Sequence, residues 1–197
     1  MLLNSIKDKK VVLASGSPRR KELLHEMGIN FEVCVSQGEE IYSPLMSTTE
    51  IAAHLATQKC QLGAKQFPAD TIVIGGDTIV CLDGEILGKP SSESEAMKML
   101  AKLSGRTHEV ISGIAIAYQN KTYSNFDVAK VHFLPLTDEE IAYYVSHFRP
   151  LDKAGAYGIQ EWIGYVGVEC IEGSYFNVMG LPVQRLYQAL KHFPSGQ

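Results

Sequence analysis

One α/β domain spanning residues 1–197 is the fold class this sequence predicts, and three observations predict it. Helix-like and strand-like segments interleave from end to end, with no internal repeat and no low-complexity linker. The composition, 45% hydrophobic and 20% charged, is enough to bury a core. The opening segment "VVLASGSPRRKELLHEMG" reads as strand, tight turn and helix.

In that first unit Val11–Ala14 is the buried strand. Ser17 is the helix cap, and Pro18 takes the first position, where its fixed φ fits and no N–H is needed. Leu23, Leu24 and Met27 recur at helical spacing before Gly28 ends the run. Phe31–Val35 predicts a short strand, "SQGEEIYSPLMS" a polar loop, and Thr49–Gln66 a helix. Two apolar strands, Thr71–Ile74 and Thr78–Leu82, precede an Asp83-Gly84 hairpin turn. Ser92 and Glu95 stand at capping-box spacing ahead of the stripe Ala96, Met99, Leu100 and Leu103, which Gly105 stops. "HEVISGIAIAY" and "YSNFDVAKVHFLPL" predict paired strands around "QNK", and Thr137 with Glu140 caps a further helix. A glycine-rich stretch, Gly155 to Gly167, leads to an expected hairpin around Glu172-Gly173 and a C-terminal helix opened by Pro182.

Composition removes several function classes. A net charge of −4 without a Lys/Arg run argues against a non-specific nucleic-acid binder. No apolar stretch suits a signal peptide or a membrane span, so a soluble, cytoplasmic protein without membrane partners is expected. Cys34, Cys60, Cys81 and Cys170 form no C-x-x-C pair and suit reduced thiols packed as small hydrophobes. The six histidines are scattered singly, without metal-ligand spacing. The G-x-S-x-G elbow and the Walker pattern are both absent, which removes acyl hydrolases and P-loop ATPases.

Charge placement is more informative. Arg19, Arg20 and Lys21 follow the cap, where a helix N-terminus disfavours each exposed cation by about 0.3–1 kcal/mol. Glu22 offsets only part of this. The placement becomes favourable if an anion, phosphate above all, sits on the turn among backbone N–H groups, the Ser15 and Ser17 hydroxyls and the guanidinium forks. Solvated surface arginines behind an ordinary cap are the equal alternative on this segment alone. Asp77 lies between apolar runs in "IVIGGDTIV", so its carboxylate needs a partner. It suits a general base or a metal ligand, with a bond to a Gly75-Gly76 turn as the alternative. Thr78 beside it, Lys89 in "LGKP", Glu39 and Glu40 in the polar loop, and Lys59 on the next helix are each compatible with solvation. Together with the arginines they supply the cations and carboxylates that a triphosphate and a divalent cation would require.

Taken together, "LASGSPRRKELL", "IGGDTIVCLDGEILGKP", "LSGRTHEVISGIA", "PLDKAGAYGIQ" and "GSYFNVMGLP" resemble the Maf family of nucleotide pyrophosphatases over nearly the whole chain, and "AGAYGIQ" resembles its dTTP/UTP-directed branch. The resemblance implies a mixed twisted sheet flanked by helices, with two lobes about a central cleft. It also implies hydrolysis of a nucleoside triphosphate to monophosphate and diphosphate with Mg²⁺ or Mn²⁺. By motif, Asp77 would accept the proton, with Glu40, Lys59 and Lys89 as charged companions, and Glu40 and Asp77 would hold the metal. Ser15, Ser17, Arg19 and Arg20 would bind phosphate, while Arg19, Thr78 and Gln160 would help select the base. Glu161 stands where the family usually has Gly, and Gly76 where it usually has Ala. The resemblance is compatible with a homodimer, with nucleotide-pool cleaning and with a link to cell division. A related pyrophosphatase for another or modified nucleotide, or a nucleotide-binding regulator without turnover, are the competing classes.

Overall fold

Short apolar runs rich in β-branched residues pair readily on a pleated surface. In the computed structural model, which describes residues 4–35 and 38–192, they build a seven-stranded mixed sheet. Its strands are β1 (Val11–Leu13), β2 (Glu32–Val33), β3 (Ile72–Leu82), β4 (Glu85–Leu87), β5 (Thr107–Tyr118), β6 (Lys121–Phe133) and β7 (Val168–Glu172). Hydrogen bonding runs β2-β1-β3-β5-β6-β7, with β4 also paired to β3. The helices are α1 (Pro18–Glu26), α2 (Thr48–Ala64), α3 (Glu93–Leu103), α4 (Asp138–Phe148), α5 (Trp162–Gly167), α6 (Tyr175–Met179) and α7 (Val183–His192). Ser36 and Gln37 of the expected polar loop lie outside the described residues, among which no helix is long and apolar enough to cross a membrane. The described chain groups into two compact units, one drawn from Met1–Asp77, Ser112–Asp127 and Gly180–Gln197, the other from Thr78–Ile111 and Val128–Met179.

In the first unit β1 is parallel to both β2 and β3, pairing Leu13 with Val33 on one side and with Ile74 on the other. Helix α2 starts at a full capping box, Ser47 with Glu50, and lies very close to the strands. A Cβ on Gly75 would sit 2.4 Å from the Ala56 carbonyl oxygen, and one on Gly113 would sit 2.1 Å from that of Ala52. The core beneath is accordingly made of small side chains: Ala14, Ala56, Cys60, Ala115 and Ala117 with Val12, Cys34 and Val73. Cys60 donates its thiol to the Val73 carbonyl at 3.1 Å, and burial pushes its pKa up to about 12, so it packs as a hydrophobe.

In the second unit β4 folds back antiparallel on β3 through Asp83 and Gly84, whose positive φ values of 50° and 85° are those of a tight hairpin turn. Helix α4 opens on a complete box, the Thr137 hydroxyl accepting from the Glu140 N–H and the Glu140 carboxylate from the Thr137 N–H. At α3 the Ser92 hydroxyl accepts from the Glu95 N–H as expected, but the Glu95 carboxylate turns to the N–H and hydroxyl of Ser91 instead.

Several expectations are corrected. Residues 72–82 form one continuous strand, because Gly75 and Gly76 give clearance to α2 and Arg20 and make no turn. Part of the glycine-rich stretch is helix α5, where a Cβ on Gly164 would lie 1.8 Å from the Ile159 carbonyl oxygen. No hairpin forms at Glu172-Gly173; β7 pairs antiparallel with β6 and the chain then turns into α6. Cys170 is exposed, unlike the three other free cysteines.

Candidate active site

The turn after β1 is fixed by its own serines. The Ala14 N–H donates to the Ile74 carbonyl at 2.8 Å, carrying the parallel pairing past β1 and leaving Ser15 buried at the strand's end. The Ser15 hydroxyl oxygen accepts from the Ser17 N–H at 3.3 Å and from Arg20 Nη1 at 3.2 Å. Ser17 is the helix cap, its oxygen accepting from the Arg20 N–H at 3.5 Å. Arg20 is held from its other side by donating Nε–H to the Gly180 carbonyl at 2.8 Å. Both serines have thus used acceptor capacity on this scaffold while each keeps an O–H proton to donate. Burial lowers the Arg20 pKa from its ordinary value; the charges of Asp77 and Glu40 work in the opposite sense, and that of Arg19 adds to the lowering.

Close packing of α2 against β3 brings Lys59 to Asp77. The Lys59 ammonium pairs with Asp77 Oδ1 and, at 2.8 Å, with Glu40 Oε1, so one cation joins two carboxylates. Asp77 is nearly buried, its side chain 11% exposed, against 25% for Lys59 and 52% for Glu40. Two side chains of α2 position the loop that carries Glu40: the Ile41 carbonyl accepts from Gln58 Nε2 at 2.8 Å and from His54 Nε2 at 3.1 Å. A carbonyl only accepts, so the His54 proton is on Nε2.

The first unit therefore gathers Ser15, Ser17, Arg20, Glu40, Lys59 and Asp77, with Arg19 beside Arg20 on α1. The second unit holds Thr78, Lys89 and Gln160. Thr78 follows Asp77 directly on β3. Lys89 leaves β4 next to Gly88, whose carbonyl accepts from the Gly155 N–H at 3.1 Å. Gln160 lies just before α5 with its Oε1 buried and without a hydrogen-bond partner among the described residues. Sequence reasoning did not single out Lys153, Tyr144, His54 or Gln58. Their contacts are long-range, and only Lys153, inside the quoted "PLDKAGAYGIQ", lay near a signal.

Two carboxylates converging on one cationic point form a hard-oxygen pair of the kind that holds Mg²⁺ or Mn²⁺, with water and phosphate oxygens completing the shell. Among the described residues no group of three or more His, Cys, Asp or Glu side chains is arranged to hold a metal ion.

The model of the family described as Maf-like protein matches residues 10–193. The dTTP/UTP pyrophosphatase of Phocaeicola vulgatus is 49% identical over 191 residues, 96% of this chain and 99% of that protein. That of Bacillus cereus is 49% identical over 185 residues, covering 94% of this chain and 90% of its own. Among solved structures, the Staphylococcus aureus Ham1 protein covers 64% of this chain and 72% of its own at a TM-score of 0.45 and 18% identity.

Proposed function

This chain belongs to the Maf family, and we propose that it hydrolyses the α–β phosphoanhydride bond of dTTP and UTP, releasing nucleoside monophosphate and diphosphate. The observation that carries the reading is Lys59 joined to both Asp77 and Glu40 in the unit that also holds the serine-and-arginine turn. Phosphate oxygens would take the spare O–H protons of Ser15 and Ser17, the guanidinium donors of Arg19 and Arg20, and N–H groups at the start of α1. Asp77 would accept the proton of the attacking water, with Lys59 fixing the direction of its carboxylate. Asp77 and Glu40 would hold a divalent cation, Mg²⁺ or Mn²⁺, which when bound neutralises charge on the phosphate oxygens. Lys89 would donate to the charge that grows on the departing diphosphate. Gln160, aided by Thr78 and Arg19, would read the base.

Residues 1–197 would act as one catalytic domain in the cytoplasm, cleaning the nucleotide pool, with a homodimer compatible. Purified protein, a panel of triphosphates with Mg²⁺ or Mn²⁺, and separation of diphosphate from orthophosphate test the reading. Diphosphate release fastest from dTTP and UTP is expected; stepwise orthophosphate, or no turnover of any triphosphate, would overturn it.

A further inference from the structure

The loop before α5 is held by an ionic chain that the reaction itself does not need. Lys153 is 7% exposed, and its ammonium lies 2.7 Å from Asp152 Oδ1 and 3.2 Å from Glu161 Oε1. The other oxygen of Glu161 accepts from the Tyr144 hydroxyl, whose own oxygen accepts from the Gly158 N–H at 3.0 Å. Tyr144 is fully buried on α4. The chain therefore begins and ends in one loop, joining residue 153 to residues 158 and 161 through an anchor on a helix. Glu161 also closes a turn by donating its N–H to the Gly158 carbonyl at 3.0 Å, and its side chain fills the space beside Gly158, where a Cβ would lie 2.7 Å from Glu161 Cδ. Gln160 is the third residue of that turn.

Two features show that the loop is held against local preference. Ala156 has a positive φ of 58°, a conformation costly for a residue with a side chain. Gln160 keeps a buried oxygen without a partner among the described residues, which an unrestrained amide would turn to satisfy. Burying an ion pair rarely stabilises more than apolar packing of similar volume, so the Lys153–Glu161 pair calls for a role in fixing one conformation. We propose that Glu161, braced by Lys153 and Tyr144, is a positioning residue that holds the Gln160 amide with Oε1 open to a donor and so sets the preference for uracil and thymine. Those bases present a ring N–H where neutral cytosine presents an acceptor nitrogen, so a fixed Oε1 pairs with the first and repels the second. This inference rests on the reading of Gln160 as the base-selecting residue.

The test measures kcat and KM for UTP, dTTP and CTP in the parent and in Gln160→Ala, Glu161→Gln, Tyr144→Phe and Gln160→Ala/Glu161→Gln, with thermal melts of each. Glu161→Gln keeps the shape and a hydrogen bond to Tyr144 but loses the charge facing Lys153. It is expected to lower kcat/KM for UTP and dTTP by roughly tenfold, mostly through KM, while CTP changes less than about twofold. Tyr144→Phe should shift the ratio the same way and carries the test if Glu161→Gln does not fold. In the Gln160→Ala background Glu161→Gln should leave the UTP:CTP ratio unchanged, which a general loosening of the structure would not do. An unchanged ratio in folded Glu161→Gln and Tyr144→Phe, or an equal fall for all three substrates, overturns the proposal while a flattened ratio in Gln160→Ala leaves the base reading standing. An unchanged ratio in Gln160→Ala overturns the base reading, and the positioning role with it.

Discussion

Asp77→Asn separates chemistry from folding at this site. The asparagine keeps the size of the side chain and an oxygen that can still accept from Lys59, while Lys59 retains Glu40 Oε1 at 2.8 Å. No charge is stranded, so the stability cost is that of weakening one charge-assisted hydrogen bond, about 1 kcal/mol. On the proposed mechanism catalysis suffers far more, because an amide cannot take up the proton of the attacking water. Removing a general base costs on the order of 10²–10⁴ in rate, or roughly 3–5 kcal/mol of barrier. Nucleotide binding measured without divalent cation should persist or tighten, since the substitution removes a negative charge near an anionic substrate. Diphosphate release under kcat/KM conditions, a urea unfolding curve and titration with a non-hydrolysable triphosphate read the three quantities. A folded variant retaining more than a tenth of parent activity would refute the role of Asp77. Loss of fold or of nucleotide binding along with activity would refute the argument that Lys59 and Glu40 suffice to hold the site.

Hydrolysis in ¹⁸O-water should place label in the monophosphate, as attack at the α-phosphorus requires; label confined to diphosphate would mean attack at the β-phosphorus. His108, buried with Nε2 2.8 Å from the Tyr157 hydroxyl, has its pKa lowered to about 4 by burial and by nearby His132, against 6.5 in an open chain. Above pH 6.5 this group makes stability independent of pH; from there down to about pH 4 the unfolded chain takes up a proton that the native chain refuses. Stability should therefore fall on acidification by about 3 kcal/mol, and urea midpoints of His108→Gln should show a shallower fall over that window. Gly75→Ala would set a methyl 2.4 Å from the Ala56 carbonyl oxygen and should lower stability by about 3 kcal/mol along with activity, because α2 carries Lys59. Gly76→Ala would meet Arg20 Nε at 3.2 Å and the Gly113 carbonyl oxygen at 3.5 Å, so Arg20 need give only slightly and the cost should be about 1 kcal/mol; equal urea midpoints for the two variants would remove the clearance argument.

What the sequence made legible were features whose physics is local. The Ser17 cap, the Thr137 box and the Asp83-Gly84 turn each follow from residues a few positions apart, and each is present. Asp77 was legible because a carboxylate in an apolar run requires a partner, and Lys59 is that partner. The glycines misled: "GG" reads as a turn within its own segment, yet its reason lies on α2, 19 residues away at Ala56 from Gly75. Helix α5 was missed for a related cause, since glycine lowers helix propensity while tertiary packing decides, whereas α6, which has no glycine, was missed because a hairpin was expected at Glu172-Gly173. Glu161 was visible only as a departure from the Maf pattern; its partners Lys153 and Tyr144 lie 8 and 17 positions away, beyond any local rule.

The charge arrangement also bears on why the proposed reaction would call for a divalent cation. Among the first unit's gathered residues, Arg19, Arg20 and Lys59 are matched against Asp77 and Glu40, so the cations exceed the carboxylates by only one. Lys59 is already committed to both carboxylates, and Arg20 is tied to Ser15 and to the Gly180 carbonyl. The net excess of one positive charge faces a triphosphate whose own charge is several times larger. The cost of bringing such an anion near two carboxylates is Coulombic and grows as water leaves the site. A cation arriving with the phosphates removes most of that repulsion and lets Asp77 and Glu40 contribute to binding instead of opposing it. Turnover should accordingly depend on divalent metal more steeply than on any single arginine, and chelation should abolish it while Arg19→Ala leaves measurable activity at raised substrate. Diphosphate release that persists undiminished in excess chelator would show that the cations of the chain alone suffice.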